Sequence, residues 1–295
     1  MLTYGAFSPS LRTRYAGGWM PVKVFGAFSK AIYVQTPEQQ LIMLHDKKCG
    51  LIPFGIGVCD FEHGVIREMN LQPGTEGMFA DGILTFDGCG VSFLLREEAE
   101  TSSPAGIPSQ QERKQKMNMW CSYLAKHEKG AVLPLLGIGG SIEDNLIARI
   151  AQTPLLQLSH ALLTGERTEI EKSLLGLIGL GLGLTPSLDD VLNGIQYTLQ
   201  YAQRNWGITL PGTKTMTETI RTLAVQRTNP YSAAYLTSMA SGERFSEFED
   251  FLSGQCFMNE AAGEKILEIG SSSGGDMMCG IMMALRLLEQ NGLPA

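Results

Sequence analysis

The stretch Gly179-Leu180-Gly181-Leu182-Gly183-Leu184-Thr185-Pro186-Ser187-Leu188-Asp189-Asp190-Val191-Leu192-Asn193-Gly194 carries the most information in the chain. It reads as a helix start. Thr185 suits the N-cap, Pro186 the first helical position, and the two aspartates fall in the opening turns. Glycines ahead of a helix let backbone N–H groups approach a ligand closely, and a helix N-terminus favours an anion. The carboxylates work against a bare phosphate. They are compatible with a bridging Mg2+ or with the hydrogens of an amide or ammonium group.

The pattern recurs near the C-terminus, in Gly270-Ser271-Ser272-Ser273-Gly274-Gly275-Asp276-Met277-Met278-Cys279-Gly280. Both copies share Ser-x-x-Asp-x-x-x-Gly, as Ser187/Asp190/Gly194 and Ser273/Asp276/Gly280. On a helix the glycine lies one turn after the aspartate on the same face. The expectation is two helix starts facing each other across one cleft. The competing reading is a capping box, which stabilises a helix start without any function. Ser141-Ile142-Glu143-Asp144 has the same spacing and reads mainly as a cap. Helix packing on Gly181 and Gly183 is a further structural reading of the glycine run. Arg227 and Thr228, with Ser232, sit between two helices and are a further anion-binding candidate. A C-cap followed by an N-cap is the alternative there.

Outward from these motifs, residues 106–295 have helical periodicity, with about eight helices between Gln110 and Glu289. On the helix from Gln110, the residues Met117, Trp120, Cys121 and Leu124 share one face. The first 105 residues read differently. Short runs at Val22–Phe28, Ala31–Gln35, Leu41–Leu44, Gly55–Cys59, Gly64–Met69, Gly82–Phe86 and Gly90–Leu95 alternate with turn material, which suggests a small barrel or sandwich. The expected fold is α+β, with a β-rich domain at 1–105 and a mainly α-helical domain at 106–295. Glu97–Arg113, rich in Ser, Pro, Gly and Gln, is the linker.

Composition bounds the function. The chain has 295 residues, a net charge of -7 and only 18% charged residues, which argues against disorder and for buried helices or a subunit interface. No block of lysine or arginine points to nucleic acid. No apolar run reaches the ~18–20 residues of a membrane span, and Met1–Met20 has no signal-peptide core. The six scattered cysteines read as reduced thiols of a cytoplasmic protein. The four histidines show no zinc-ligand spacing. The methionines Met277, Met278, Met282 and Met283 read as core filler. Rossmann, P-loop and nucleophile-elbow signatures are missing.

The Gly179–Gly194 stretch resembles the GLGxGLTPSGDDxLxG block of a conserved domain family whose members include AllH, a subunit of oxamate carbamoyltransferase in allantoin breakdown. Two more blocks are similar. Arg227-Thr228 with Ser232, Leu236, Ala240 and Gly242 resembles the family's R-T-x-x-x-S-x-x-x-L-x-x-A-x-G stretch, and Ser271–Gly280 resembles its S-S-G-x-D-x-x-x-G stretch. The chain departs at position 188, where Leu replaces the usual Gly. The resemblance implies a transferase subunit that interconverts oxalurate plus phosphate with oxamate plus carbamoyl phosphate, working with partner subunits or as an oligomer. Carried onto this chain, the catalytic residues are Asp189, Asp190 and Asp276. The residues around a small anionic substrate are Gly181, Gly183, Thr185, Ser187, Arg227, Thr228, Ser232, Ser272, Ser273 and Gly274. No resident cofactor is expected beyond a possible role for Mg2+. The rival functions are a non-catalytic assembly or regulatory subunit, and a Mg-dependent hydrolase or lyase.

Overall fold

A computed structural model describes residues 2–7, 11, 18–50, 52, 54–58, 70–80, 83–86, 92–97, 106–253, 257–291 and 293, with backbone alone at 2–7, 49 and 92–97. It divides into two compact units. One is Met1–Ser102 with Glu243–Ser246, and the other is Ser103–Gly242 with Glu247–Ala295. The fold is α+β, as the periodicities imply.

The first unit is a closed barrel. Its strands are β1 (Leu2–Phe7), β2 (Met20–Ala27), β3 (Ala31–Gln35), β4 (Leu41–Asp46), β5 (Gly55–Val58), β6 (Glu76–Ala80), β7 (Ile83–Phe86) and β8 (Ser92–Glu97). They run β1-β5-β4-β3-β2-β6-β7-β8, and β8 closes on β1 in parallel, Leu2 opposite Ser92 and Phe7 opposite Glu97. Strand side chains alternate between faces. The interior accordingly takes every second residue: Val22, Val24, Ile32, Val34, Ile42, Leu44, Ile56, Val58, Leu84 and Phe86. Alternation is hidden in β4, where Leu41, Met43 and His45 on the other face are also buried. Closure removes the exposed strand edges that a short open sheet would leave.

Two strands carry too little signal to be read. β1 lies in a polar-flanked N-terminal stretch, and β6 opens on Glu76-Gly77. Gly77 is there for space, since a methyl group on it would stand 2.3 Å from the Thr85 carbonyl oxygen across the β6–β7 pair. The expected strand at Gly64–Met69 and the turn at Asp87-Gly88 lie outside the described residues.

The second unit is helical: α1 (Gln110–His127), α2 (Leu146–Thr164), α3 (Arg167–Leu177), α4 (Ser187–Tyr201), α5 (Thr213–Arg227), α6 (Pro230–Ala240), α7 (Ser246–Leu252), α8 (Glu260–Leu267) and α9 (Ser273–Gln290). On α1 the buried face is Arg113, Met117, Trp120 and Leu124, while Cys121 is only half-buried. The sequence suggests two helices at 142–150 and 154–163. The structure has one, with Pro154 inside it. Proline removes one backbone donor and does not forbid continuation where neighbours hold the helix. The start also moves. Ser141 accepts from Glu143 N–H in a turn, whereas Asn145 caps α2 through Ala148 N–H at 2.9 Å. The short helix α7 carries no clear periodic signal and is a finding of the structure alone.

The core of this unit is the pair α4 and α9. Almost every residue of α4 is buried, from Ser187 to Tyr201. Such a helix is apolar or polar as packing demands on all sides. The Met277, Met278 and Met282 side chains are buried in α9 as expected, and Met283 is only half-buried. Among the described residues no helix is long and apolar enough to cross a membrane.

Candidate functional site

The two Ser-x-x-Asp-x-x-x-Gly motifs start α4 and α9, and the helices cross at their glycines. A methyl on Gly194 would stand 2.1 Å from the Met277 carbonyl oxygen, and one on Gly280 would stand 2.0 Å from that of Val191. Each glycine meets the residue after the other motif's aspartate. The contacts are therefore reciprocal, as under an approximate twofold axis between the helices. Close backbone approach of this kind requires glycine.

The capping reading fails at both starts. Neither α4 nor α9 has a side-chain cap hydrogen bond, and the N-cap positions are held by Pro186 and Ser272. Thr185, expected as a cap, instead bonds Ser273 across the pair, Oγ1 to Oγ at 2.8 Å. The serines are exchanged between the helices too. The Ser187 hydroxyl lies beside Asp276, and the Ser273 hydroxyl lies beside Asp190.

The three aspartates are all buried but differ in their partners. Asp189 is saturated. Its Oδ1 accepts Gly179 N–H at 2.7 Å, and its Oδ2 accepts the hydroxyls of Thr228 (2.5 Å) and Ser232 (2.6 Å). Burial raises its carboxyl above the usual range, and those three donors hold the rise back. Asp276 Oδ1 accepts the backbone N–H groups of Ala131 (2.7 Å) and Val132 (3.1 Å). Burial lifts Asp276 to about 6 against these donors. Asp190 is different: no hydrogen bond reaches either of its oxygens. Burial raises it well above the ordinary carboxylate value, and the charge of Asp276 adds to the rise. The Thr185 and Ser273 hydroxyls beside it oppose the rise. One turn on, the buried Asn193 has its Nδ2 unpartnered.

The glycine run serves backbone shape and packing. Gly179, Gly181 and Gly183 have φ of 84°, 136° and 95°, a region that side chains disfavour. A methyl on Gly179 would hit the Arg227 carbonyl oxygen at 2.4 Å, and one on Gly181 the Ser187 nitrogen at 2.3 Å. Gly183 is exposed and nearly clear of neighbours. At position 188 the leucine side chain is fully buried in the helix pair. Gly274 packs on the Ile266 carbonyl, and Ser272 is half-exposed at the N-cap of α9. Arg227 is exposed, and its guanidinium donates to the Leu175 carbonyl at 3.2 Å.

The structure thus gathers Thr185, Ser187, Asp190, Ser273 and Asp276 around one helix crossing, and Asp189, Thr228 and Ser232 at an adjoining one. Sequence reasoning misses the Lys129–Val132 segment. It packs on Gly275 and supplies both N–H donors to Asp276, while Asn145 Nδ2 donates to the Ala131 carbonyl at 2.7 Å. The glycine at 130, with φ of 125°, is the only local signal for it. Among the described residues no group of three or more His, Cys, Asp or Glu is placed to hold a metal ion. The α4–α9 crossing offers hydroxyl and carboxyl groups to a small polar ligand, with no lysine or arginine among Thr185, Ser187, Asp190, Ser273 and Asp276.

Comparison with known proteins adds one relationship. No curated protein and no solved structure gives a match. A family model does match residues 177–285, an interval that begins just before Gly179 and ends just after Gly280. Over that interval, which holds both helix starts, the chain resembles the oxamate carbamoyltransferase subunit AllH family.

Proposed function

We propose that the chain is a subunit of an oxamate carbamoyltransferase-type enzyme and binds a small anionic substrate at the paired starts of α4 and α9. The observation that carries this reading is the reciprocal placement of Thr185, Ser187, Asp190, Ser273 and Asp276 inside the matched interval. Hydroxyls and helix-start N–H groups suit the oxygens of phosphate or an oxamate carboxylate. Carboxyl groups suit the amide hydrogens of a carbamoyl or ureido group. In the reaction, a phosphate oxygen bonds the carbamoyl carbon of oxalurate. The carbon–nitrogen bond to the oxamate half breaks, and its electron pair stays on nitrogen. Nothing in the site is placed as a nucleophile, so positioning and electrostatics carry the transfer.

Thermal-shift measurements on the full chain with phosphate, carbamoyl phosphate, oxamate and oxalurate test the reading. A ligand at 100 times its Kd adds ~2.7 kcal/mol, a rise of roughly 5–10 °C for a protein of this size. The rise is expected with the reaction's own ligands and lost in the double variant Thr185→Val/Ser273→Ala. No shift with any of the four counts against a substrate site on this chain.

A second reading, an assembly subunit, draws on exposed apolar side chains. Leu182 is 82% exposed and Val225 67%, with Leu146 and Leu156 also open. Exposed apolar surface marks interaction sites. Light scattering distinguishes it: a monomer that captures no partner argues against this reading.

A further inference from the structure

We propose that Asp190 carries a proton in the folded protein while Asp276 is its ionised partner, and that Asp190 is the acid that delivers this proton to the nitrogen leaving the carbamoyl group. The second half rests on the function proposed above. The first half stands without it.

Two carboxyl groups buried side by side cannot both ionise without a compensating charge. The donors decide which one keeps the proton. Asp276 has two backbone N–H groups on Oδ1, at 2.7 and 3.1 Å, which favour its charged form, while its Oδ2 has no hydrogen-bond partner. Asp190 has no backbone donor and no hydrogen bond on either oxygen, and of the Thr185 and Ser273 hydroxyls beside it one spends its proton on their mutual bond. The ionisable groups facing Asp190 are Asp276 from α9 and Asp189 from its own helix, both acidic. Cys279, a turn after Asp276, is fully buried and its thiol is pushed up by burial. α6, packed on the far side of α4, has no charged residue, and Arg227 at the end of α5 is exposed and bonded to the Leu175 carbonyl. Nothing described there offsets a second negative charge.

A protonated Asp190 also removes the conflict between an anionic substrate and three carboxylates. It presents one O–H donor. Thr185 and Ser273 are half-buried, so a ligand that displaces their mutual bond meets Asp190 next. In the transfer, the oxamate nitrogen takes the Asp190 proton as its bond to the carbamoyl carbon breaks. Oxamate leaves as the neutral amide, Asp190 is left as carboxylate, and the incoming monohydrogen phosphate supplies the replacement proton.

Infrared spectroscopy of the full chain in D2O at pH 7 locates the proton. A protonated-carboxyl C=O band is expected in the native chain and is lost in Asp190→Asn. A band of undiminished intensity in Asp190→Asn, or no band at all, overturns the assignment. If Asp190→Asn does not fold, the assigned carboxyl carbon resonance of Asp190 in the 13C-labelled native chain at pH 7 decides the same point. A protonated Asp190 supports the proposal, and an ionised Asp190 overturns it. The acid role is read separately. Asn has the shape of the protonated acid and an N–H to donate, so Asp190→Asn keeps the thermal shift with oxalurate and phosphate while turnover by the assembled enzyme falls at least 100-fold. A native chain with the band and no ligand shift overturns the functional reading and the acid role with it, and leaves the proton on Asp190. A ligand shift with unchanged turnover in Asp190→Asn overturns the acid role alone.

Discussion

At the scale of single residues, neighbouring aspartates in one sequence pair do different work. Asp189 ties three separate segments together through Gly179 N–H, Thr228 and Ser232. It fixes the glycine loop against α6 and the end of α5. Asp189→Ala takes the acceptor from three donors, of which the Ser232 hydroxyl is fully buried and the other two half-buried, which costs ~3 kcal/mol. Chemical denaturation should read that loss directly; a change below ~0.5 kcal/mol would show that the three bonds carry no net stability. Asp190, one position on, has no such ties on either oxygen. The adjacent letters Asp-Asp give no hint of this division, because which donors reach a carboxyl depends on segments far off in sequence.

At the scale of elements, the α4–α9 crossing is the determinant. Gly194 and Gly280 allow backbone-to-backbone approach that brings two aspartate motifs together. Gly194→Ala must push Met277 away from a contact of 2.1 Å, and since backbone cannot yield as a flexible side chain does, the expected cost is ~3 kcal/mol or more. Equilibrium unfolding of Gly194→Ala and Gly280→Ala checks this. Near-native stability in either would mean that the crossing can open without penalty. The shared spacing of the motifs was legible in the sequence, and so was the glycine one turn after each aspartate. Their exchange of serine partners was not, because it requires knowing that the helices cross at that point.

At the scale of the whole molecule, the two units carry opposite responses to pH. In the barrel, burial lowers His45 to about 4, and its Nε2 has no partner. A folded value below the unfolded ~6.5 means stability present above pH 6.5 and lost as pH falls toward 4, up to ~3 kcal/mol. In the helical unit, Asp276 stands at about 6 against an unfolded ~3.9. Its contribution is full below pH 4 and is lost as pH rises through 6, again ~3 kcal/mol at most. The two oppose each other over the same window. Unfolding midpoints from pH 4 to 7 should therefore tilt in opposite directions in two variants. His45→Gln lowers the loss on acidification, and Asp276→Asn deepens it. Parallel profiles for both variants and the native chain would contradict this.

The sequence by itself determined the α+β class, the change from period-two strands to helices, and the two glycine-rich helix starts. Those features are local: side-chain alternation, helical periodicity and N-terminal helix chemistry each act over a few residues. It also carried the resemblance on residues that the family comparison spans. Tertiary structure alone decided that the strands close into a barrel and that Glu243–Ser246 sit with the first unit. It alone decided that Thr185 bonds Ser273, that the Lys129–Val132 backbone serves Asp276, and that Asp190 is left without a donor. The reason is physical. A carboxyl group's charge state is set by burial and by the donors around it, and here those donors come from elements that only packing brings within reach.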